Sequence, residues 1–173
     1  MSLKTGDEYI VSVEALGLEA NILGQRSGDL TGHALVRPSL RAVAMTYDCA
    51  HDPEVGPLFR VHSPLIGEEV NRFTHLHQSA DDLVDKVLMQ RHCGNRTGCC
   101  FQRCVGMDAA NAVYSVTYQC DRACDTDYHR RFRDYWTWVQ RQDLVVDGAN
   151  GPQGRPGQAP WRTGRSRSLP ARR

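Results

Sequence analysis

Apolar side chains recur at helical spacing in five stretches of the chain, separated by intervals rich in glycine and proline. Over residues 5–19, Tyr9, Ile10, Val13, Leu16 and Leu18 form a rough stripe, and Thr5 or Asp7 can cap the helix it predicts. Residues 21–36 break the helical period, and Gly24, Gly28 and Gly32 read as turns of a short hairpin or loop. Pro38 and Ser39 open a second helix, which carries Leu40, Val43, Ala44 and Tyr47 before Asp52-Pro53 ends it. The stretch 58–73 reads as two short strands around Gly67.

The clearest helix spans 79–95. Ser79 and Asp82 have capping-box spacing, Leu83, Val84, Val87, Leu88 and Arg91 share one face, and Gly94-Asn95 is the expected stop. Another helix is expected over 105–122, with Ala109, Ala112, Val113, Val116 and Tyr118 as buried candidates. Thr126 then caps a last helix, whose stripe of Tyr128, Phe132, Tyr135, Trp136 and Val139 belongs to a core. The expected fold is mainly α with a small β element and no internal repeat.

Composition refines this picture at the two ends. Six of the 21 basic side chains fall in 150–173, a Gly/Pro/Arg-rich segment without acid, leaving 15 basic against 20 acidic groups in the first 149 residues. The body is therefore mildly acidic and has no nucleic-acid footprint. The last 24 residues have too few apolar side chains to offset their ordering entropy. They read as a disordered, unselected tail rather than an arm for RNA or a membrane, so the expected domains are 1–149 and 150–173. No apolar run is long enough for a membrane span, and acids interrupt the N-terminal stretch where a signal peptide would be apolar. These features place the protein in the cytoplasm, where its seven cysteines stay reduced unless bound to metal.

Three of those cysteines crowd into "GCCFQRCVGMDAA" at 98–110. Cys100 and Cys104 are four apart. On one helical turn their sulfurs would point the same way, as adjacent metal ligands or one edge of an iron–sulfur cluster require, with Cys99 about a quarter turn away. Cys120 and Cys124 repeat the spacing, and Cys93 lies upstream with His92. Spacing alone leaves a metal site and small buried thiols both open, because zinc sites use C-x2-C more often than C-x3-C. "FTHLHQS" places His75 and His77 on one side of an extended segment, which suits a metal pair, substrate contacts or a hydrogen-bonded structural feature. There is no glycine-rich phosphate loop, serine nucleophile elbow or HExxH helix.

Taken together, "RPSLRAVAMTYDCAHDPE", "NRFTHLHQSADDLVDKVLMQR", "TGCCFQRCVGMDAANAVYSVTYQ", "DTDYHRRFRDYW" and "QDLVVDGA" resemble the N-terminal part of the 4-hydroxybutyryl-CoA dehydratase/vinylacetyl-CoA Δ-isomerase family. That family lies within the 4-hydroxyphenylacetate 3-hydroxylase flavoprotein superfamily. The resemblance runs over about 5–149 and implies the N-terminal helical domain of an acyl-CoA-dehydrogenase-like flavoprotein. It implies that Cys100 and Cys104 ligate a 4Fe–4S cluster, with a later His and Cys completing the set. It also implies FAD bound among the helical part, a middle β domain and a C-terminal bundle, and conversion of 4-hydroxybutyryl-CoA to crotonyl-CoA by flavin radical chemistry. Gln102 becomes a candidate contact near substrate or cluster, and Arg91 a residue facing the active-site cavity. Full-length members are homotetramers.

The expected reading is thus a dehydratase fragment that stops before the middle β domain, with neither cofactor site complete, and inactive alone. Two alternatives are the N-terminal domain of a flavin-dependent 4-hydroxyphenylacetate 3-monooxygenase and a non-catalytic helical binding module.

Overall fold

The computed structural model describes residues 3–98 and 100–147; Cys99 and the tail 150–173 lie outside the described residues. Helix α1 spans Gly6–Glu14. Thr5 caps it as expected: its hydroxyl accepts from Glu8 N–H at 3.2 Å and its own N–H donates to the Glu8 carboxylate at 2.8 Å. The helix stops at Glu14, so Leu16 and Leu18 fall beyond it and are exposed. Gly6 lets α1 lie close on α2 (Arg37–Asp48), since a Cβ there would stand 2.8 Å from the Ala44 carbonyl oxygen. Its N–H instead donates to Asp48 Oδ1 at 2.7 Å.

The hairpin expected in 21–36 forms between β1 (Ala20–Ile22) and β2 (Gln25–Ser27), in antiparallel register Ala20↔Ser27. Leu23 and Gly24 both have positive φ, the backbone a two-residue hairpin turn demands. The pair around Gly67 also forms: β3 (Arg60–Ser63) and β4 (Glu68–Asn71) are antiparallel, with Val61 opposite Val70. Periodicity missed the short pieces joining these elements. They are a 3-10 turn at Cys49–His51, the single helical turn α3 (Gly56–Phe59) and a 3-10 turn at Arg72–Thr74.

Helices α4 (Ala80–Thr97), α5 (Cys104–Cys124) and α6 (Tyr128–Arg141) complete the domain. The Ser79–Asp82 capping box is present. Helix α4 runs through Gly94-Asn95, however, and stops three residues later at Gly98, which takes the left-handed conformation. Nothing in the Gly94 environment forces an end, because the residue keeps a helical backbone inside the rod. Leu83, Val84, Val87 and Leu88 do share a face, but it is exposed at 47–59%, and the core takes Met89 and Cys93.

Helix α5 likewise buries Gly106, Met107 and Ala110, while Ala109, Ala112, Val113, Val116 and Tyr118 are exposed. The helix is apolar on more than one face, so period alone could not say which face meets the core. In α6, Trp136 and Val139 are buried and Phe132 half-buried as expected, whereas Tyr128 and Tyr135 are exposed. Thr126 does not cap α6. The Asp121 carboxylate does so from the end of α5, accepting from the N–H groups of Tyr128 and His129, both at 2.9 Å.

The main core brings Phe59, Phe73, Met89, Cys93, Phe101 and Met107 together, and Cys104 packs against it. No helix among the described residues is long and apolar enough to cross a membrane.

Candidate functional site

Cys100 and Cys104 do come together, by a route the spacing did not predict. They do not lie on one helical turn: Cys104 is the first residue of α5, and Cys100 precedes the helix in an irregular loop. Gln102 makes the connection with φ 62°, a left-handed conformation uncommon for a residue with a Cβ. That turn lets Gln102 N–H donate to Cys100 Sγ at 3.4 Å. It also brings the Cys100 thiol close enough to Cys104 to raise the Cys104 pKa, after burial. Cys100 is exposed and Cys104 half-buried, so the pair opens outward from the rim of the core.

The loop is anchored on both sides of Gln102. Phe101 is buried against Phe73, with ring centroids 5.7 Å apart. Arg103 is only 2% exposed, and its guanidinium carbon lies 4.4 Å from the Tyr47 ring centroid and 4.5 Å from that of Phe73. Its Nη1 donates to Thr46 Oγ1 at 3.0 Å. Arg103 also acts on Asp143, whose carboxyl pKa burial raises and whose charge Arg103 and Lys4 favour. Tyr47 closes the circuit by donating to the Asp143 carbonyl at 2.8 Å. Burial pushes the Tyr47 phenol up to about 12, so it remains a donor.

The chain then passes directly over the start of α5. A Cβ on Gly106 would stand 1.7 Å from the Val146 carbonyl oxygen, so only glycine permits this crossing beside Cys104. Sequence reading singled out neither Arg103 nor Gly106. An arginine between two candidate ligands carries no signal of burial, and a helix glycine announces no particular neighbour.

The thiol chemistry separates the cysteines. Burial, and after it the neighbouring Cys100, raises the Cys104 pKa against the lowering effect of the helix N–H groups. A second negative charge beside the first is therefore disfavoured. The donor set is soft and outward-facing, and fits one edge of an iron–sulfur cluster. It is half a set: among the described residues no group of three or more His, Cys, Asp or Glu could hold a metal by itself. Cys49 and Cys93 are buried at 3% and 0% exposure, and burial pushes Cys93 up to about 12; these are packed thiols. Cys120 is half-buried and Cys124 exposed, so packing does not explain that pair.

Of the other sequence-predicted residues, Gln102 lies in the site and is half-buried. Arg91 is exposed, one turn beyond Val87 on the outer face of α4. His75 and His77 are edge to face at 6.0 Å. Their backbone is strapped to α5 by Asn111, which accepts from His77 N–H at 2.8 Å and donates to the His75 carbonyl at 3.2 Å. Asp82 faces His75 Nε2 at 3.3 Å. The backbone of the H-x-H segment is thus hydrogen-bonded, while the four ring nitrogens of His75 and His77 are buried without a hydrogen-bond partner.

A helical domain of this shape belongs to a known class. The 4-hydroxyphenylacetate 3-hydroxylase N-terminal family matches residues 5–157, and the chain belongs to it. The match runs past residue 149, where the resemblance alone had placed the boundary. The chain is 47% identical over 159 residues to the 4-hydroxybutyryl-CoA dehydratase/vinylacetyl-CoA-Δ-isomerase of Clostridium aminobutyricum, covering 91% of this chain and 32% of that protein. An oxygen-tolerant archaeal 4-hydroxybutyryl-CoA dehydratase from N. maritimus superposes with TM-score 0.83 at 42% identity, over 91% of this chain and 31% of the other. The FAD complex of the oxygenase component of 4-hydroxyphenylacetate 3-monooxygenase shares the fold at TM-score 0.65 and 20% identity, over 91% of this chain and 32% of the other. The chain thus spans about a third of the length of these relatives.

Proposed function

We propose that the chain serves as the N-terminal helical part of a 4-hydroxybutyryl-CoA dehydratase-type enzyme, with Cys100 and Cys104 as two ligands of its iron–sulfur cluster. The observation that carries this reading is the 47% identity to the Clostridium dehydratase over a stretch in which the turn at Gln102 leads from Cys100 to Cys104 at the start of α5. When bound, the cluster would supply a Lewis-acidic iron and FAD an electron and hydrogen carrier, for a radical conversion of an acyl-CoA substrate.

The work of this chain is positional. The left-handed turn at Gln102 and the buried Arg103 set the two sulfurs before any metal arrives, so less ordering is left to metal binding. Gln102 lies between the ligands and its side chain would reach toward substrate or cluster. Arg91 would line the acyl-CoA cavity from the outer face of α4. Because the described residues supply two of four ligands, the 173-residue chain by itself performs no dehydration.

The test is anaerobic treatment of the purified chain with ferrous iron and sulfide. Iron retained by wild type and by Cys120→Ala, but lost in Cys104→Ala, is the expected outcome. Equal uptake by all three would sink the assignment and favour a hydroxylase-type domain. Turnover of 4-hydroxybutyryl-CoA above the protein-free blank would overturn the expectation of inactivity.

A further inference from the structure

A cavity of about 510 Å³ lies along the junction of α5 and α6, bounded by Leu65 from the β3–β4 turn. Its walls are fixed by contacts within the chain. The Asp121 carboxylate joins the two helices, with Oδ1 accepting from the Thr126 hydroxyl at 2.7 Å and the Tyr128 N–H at 2.9 Å, and Oδ2 from the His129 N–H at 2.9 Å. His129 Nδ1 lies 3.2 Å from the Thr117 hydroxyl, and its ring meets Tyr118 edge to face at 5.5 Å. The charges around the cavity are unequally matched. Arg130 donates to Asp134 at 3.3 Å and to Asp127 at 2.5 Å, whereas Arg122 and Arg133 have no ion pair among the described residues. Asp121 is satisfied by its three donors and Asp134 is paired with Arg130, so two guanidiniums line this cavity without a counter-charge. Beside them Tyr118 is 51% exposed, with the Arg122 guanidinium carbon 5.9 Å from its ring centroid. The larger cavity between α1 and α2, about 670 Å³, has more carboxylates than guanidiniums in its lining and shows no such excess.

We propose that this cavity binds a purine nucleoside diphosphate, with its phosphates on Arg122 and Arg133 and its base against Tyr118 and His129. The space is far larger than a single phosphate needs and has the size of a small-molecule site. A guanidinium fork matches two phosphate oxygens at once. Aromatic rings and arginine planes both stack on a base, and Leu65 supplies the apolar edge. Two sources carry this chemistry: a free adenine nucleotide and the adenosine diphosphate end of coenzyme A. Tyr118 stands 14 residues beyond Cys104 on α5, about 21 Å at 1.5 Å per residue. The ligand therefore does not touch the cysteine loop, and the inference stands apart from the cluster assignment.

The test is isothermal titration calorimetry of the full chain with ADP, and separately with coenzyme A, inorganic phosphate and adenosine. ADP should bind saturably, and inorganic phosphate and adenosine each at least about tenfold more weakly. Arg122→Gln and Arg133→Gln should each weaken ADP by about ten- to a hundredfold, and Tyr118→Leu by about tenfold. Arg37→Gln, at the other cavity, and Cys104→Ala should bind ADP within about twofold of wild type. Arg122 and Arg133 are both exposed, so the urea midpoints of their variants should match wild type and separate lost binding from lost fold. Tighter binding of coenzyme A than of ADP assigns the occupant to an acyl-CoA substrate; ADP equal or tighter assigns it to a free nucleotide. No saturable binding of either, inorganic phosphate as tight as ADP, ADP binding unchanged in both arginine variants, or its loss in Cys104→Ala would each overturn the proposal.

Discussion

Helix α5 carries the same C-x3-C spacing at both ends, and the two pairs come to opposite outcomes. Cys100 stands in the loop outside the helix and Cys104 is its first residue, and burial followed by Cys100 raises the Cys104 pKa. Cys120 and Cys124 both lie inside the helix, where it ends. The spacing is common to both, so it is not the cause. The surroundings differ: at the first pair the backbone leaves the helix and reverses through Gln102, with Phe101 and Arg103 pinned on either side. At the second, Arg122 reaches only the exposed Tyr118, with its guanidinium carbon 5.9 Å from the ring centroid. A usable dithiol here is made by buried neighbours and one strained turn, and not by helical geometry.

Removing the anchor should give the largest effect. Arg103→Ala empties the slot between Tyr47 and Phe73 and strips the buried Asp143 carboxyl of its opposing charge. We expect a loss of about 4 kcal/mol, the scale for breaking a buried charge arrangement and leaving a cavity. The urea-unfolding midpoint should fall steeply, and cadmium binding in whatever fraction stays folded should fall with it. Arg122→Ala, at the other end of the same helix, should stay within about 0.5 kcal/mol of wild type. Equal losses at both sites would dissolve the contrast between the two ends.

Glycine substitutions sharpen it next. Gly106→Ala drives a methyl group into the Val146 carbonyl, and backbone must move to admit it; about 2 kcal/mol of destabilisation is expected, read by thermal melting. Gly94→Ala is the control. It lies inside α4 with nothing within 4 Å of the added carbon, and should stabilise by up to about 1 kcal/mol.

The N-terminal half of α5 should also show a pH signature, because Asn111 straps the His75–His77 segment to it. Burial lowers both imidazole pKa values, against a favourable pull from Asp82 and with Arg72 or Lys86 adding to the lowering. A depressed histidine pKa means the unfolded chain binds the proton first. The stability these residues support is therefore intact above the ordinary value near 6.5 and lost as pH falls below it toward the folded values. Urea midpoints measured from pH 7.5 down to 5 should decline, and His77→Gln should flatten part of that slope. A midpoint independent of pH would show that the strap carries no buried neutral imidazole.

The elements were readable in the sequence where a single physical signal decided them. The Thr5 and Ser79 capping boxes, the Pro38 start and the hairpin at Gly67 depend on local backbone chemistry, and each formed. What failed were statements about which helix face meets the core. Val113 and Val116 were expected inside and lie outside, because α5 offers apolar residues on several faces and only its neighbours choose among them. The cysteine pair was reasoned from helical spacing, whereas the structure places Cys100 in the loop before α5 and joins it to Cys104 through a left-handed turn that spacing cannot reveal.

That turn gives the smallest and most discriminating prediction. A left-handed backbone costs a residue with a Cβ roughly 1 kcal/mol, and glycine nothing comparable. Gln102→Gly should therefore leave the fold intact and raise stability by up to about 1 kcal/mol in urea titration. Cadmium binding at Cys100 and Cys104 should survive, since the Gln102 N–H that donates to Cys100 Sγ belongs to the backbone and is retained. If glutamine is kept at this strained position for its side chain, Gln102→Gly separates that role from the scaffold: metal held, stability gained, and any function of the amide removed. Loss of the metal site in this variant would show instead that the glutamine side chain itself braces the loop, and that the contrast between the two ends of α5 has a contributor besides Phe101 and Arg103.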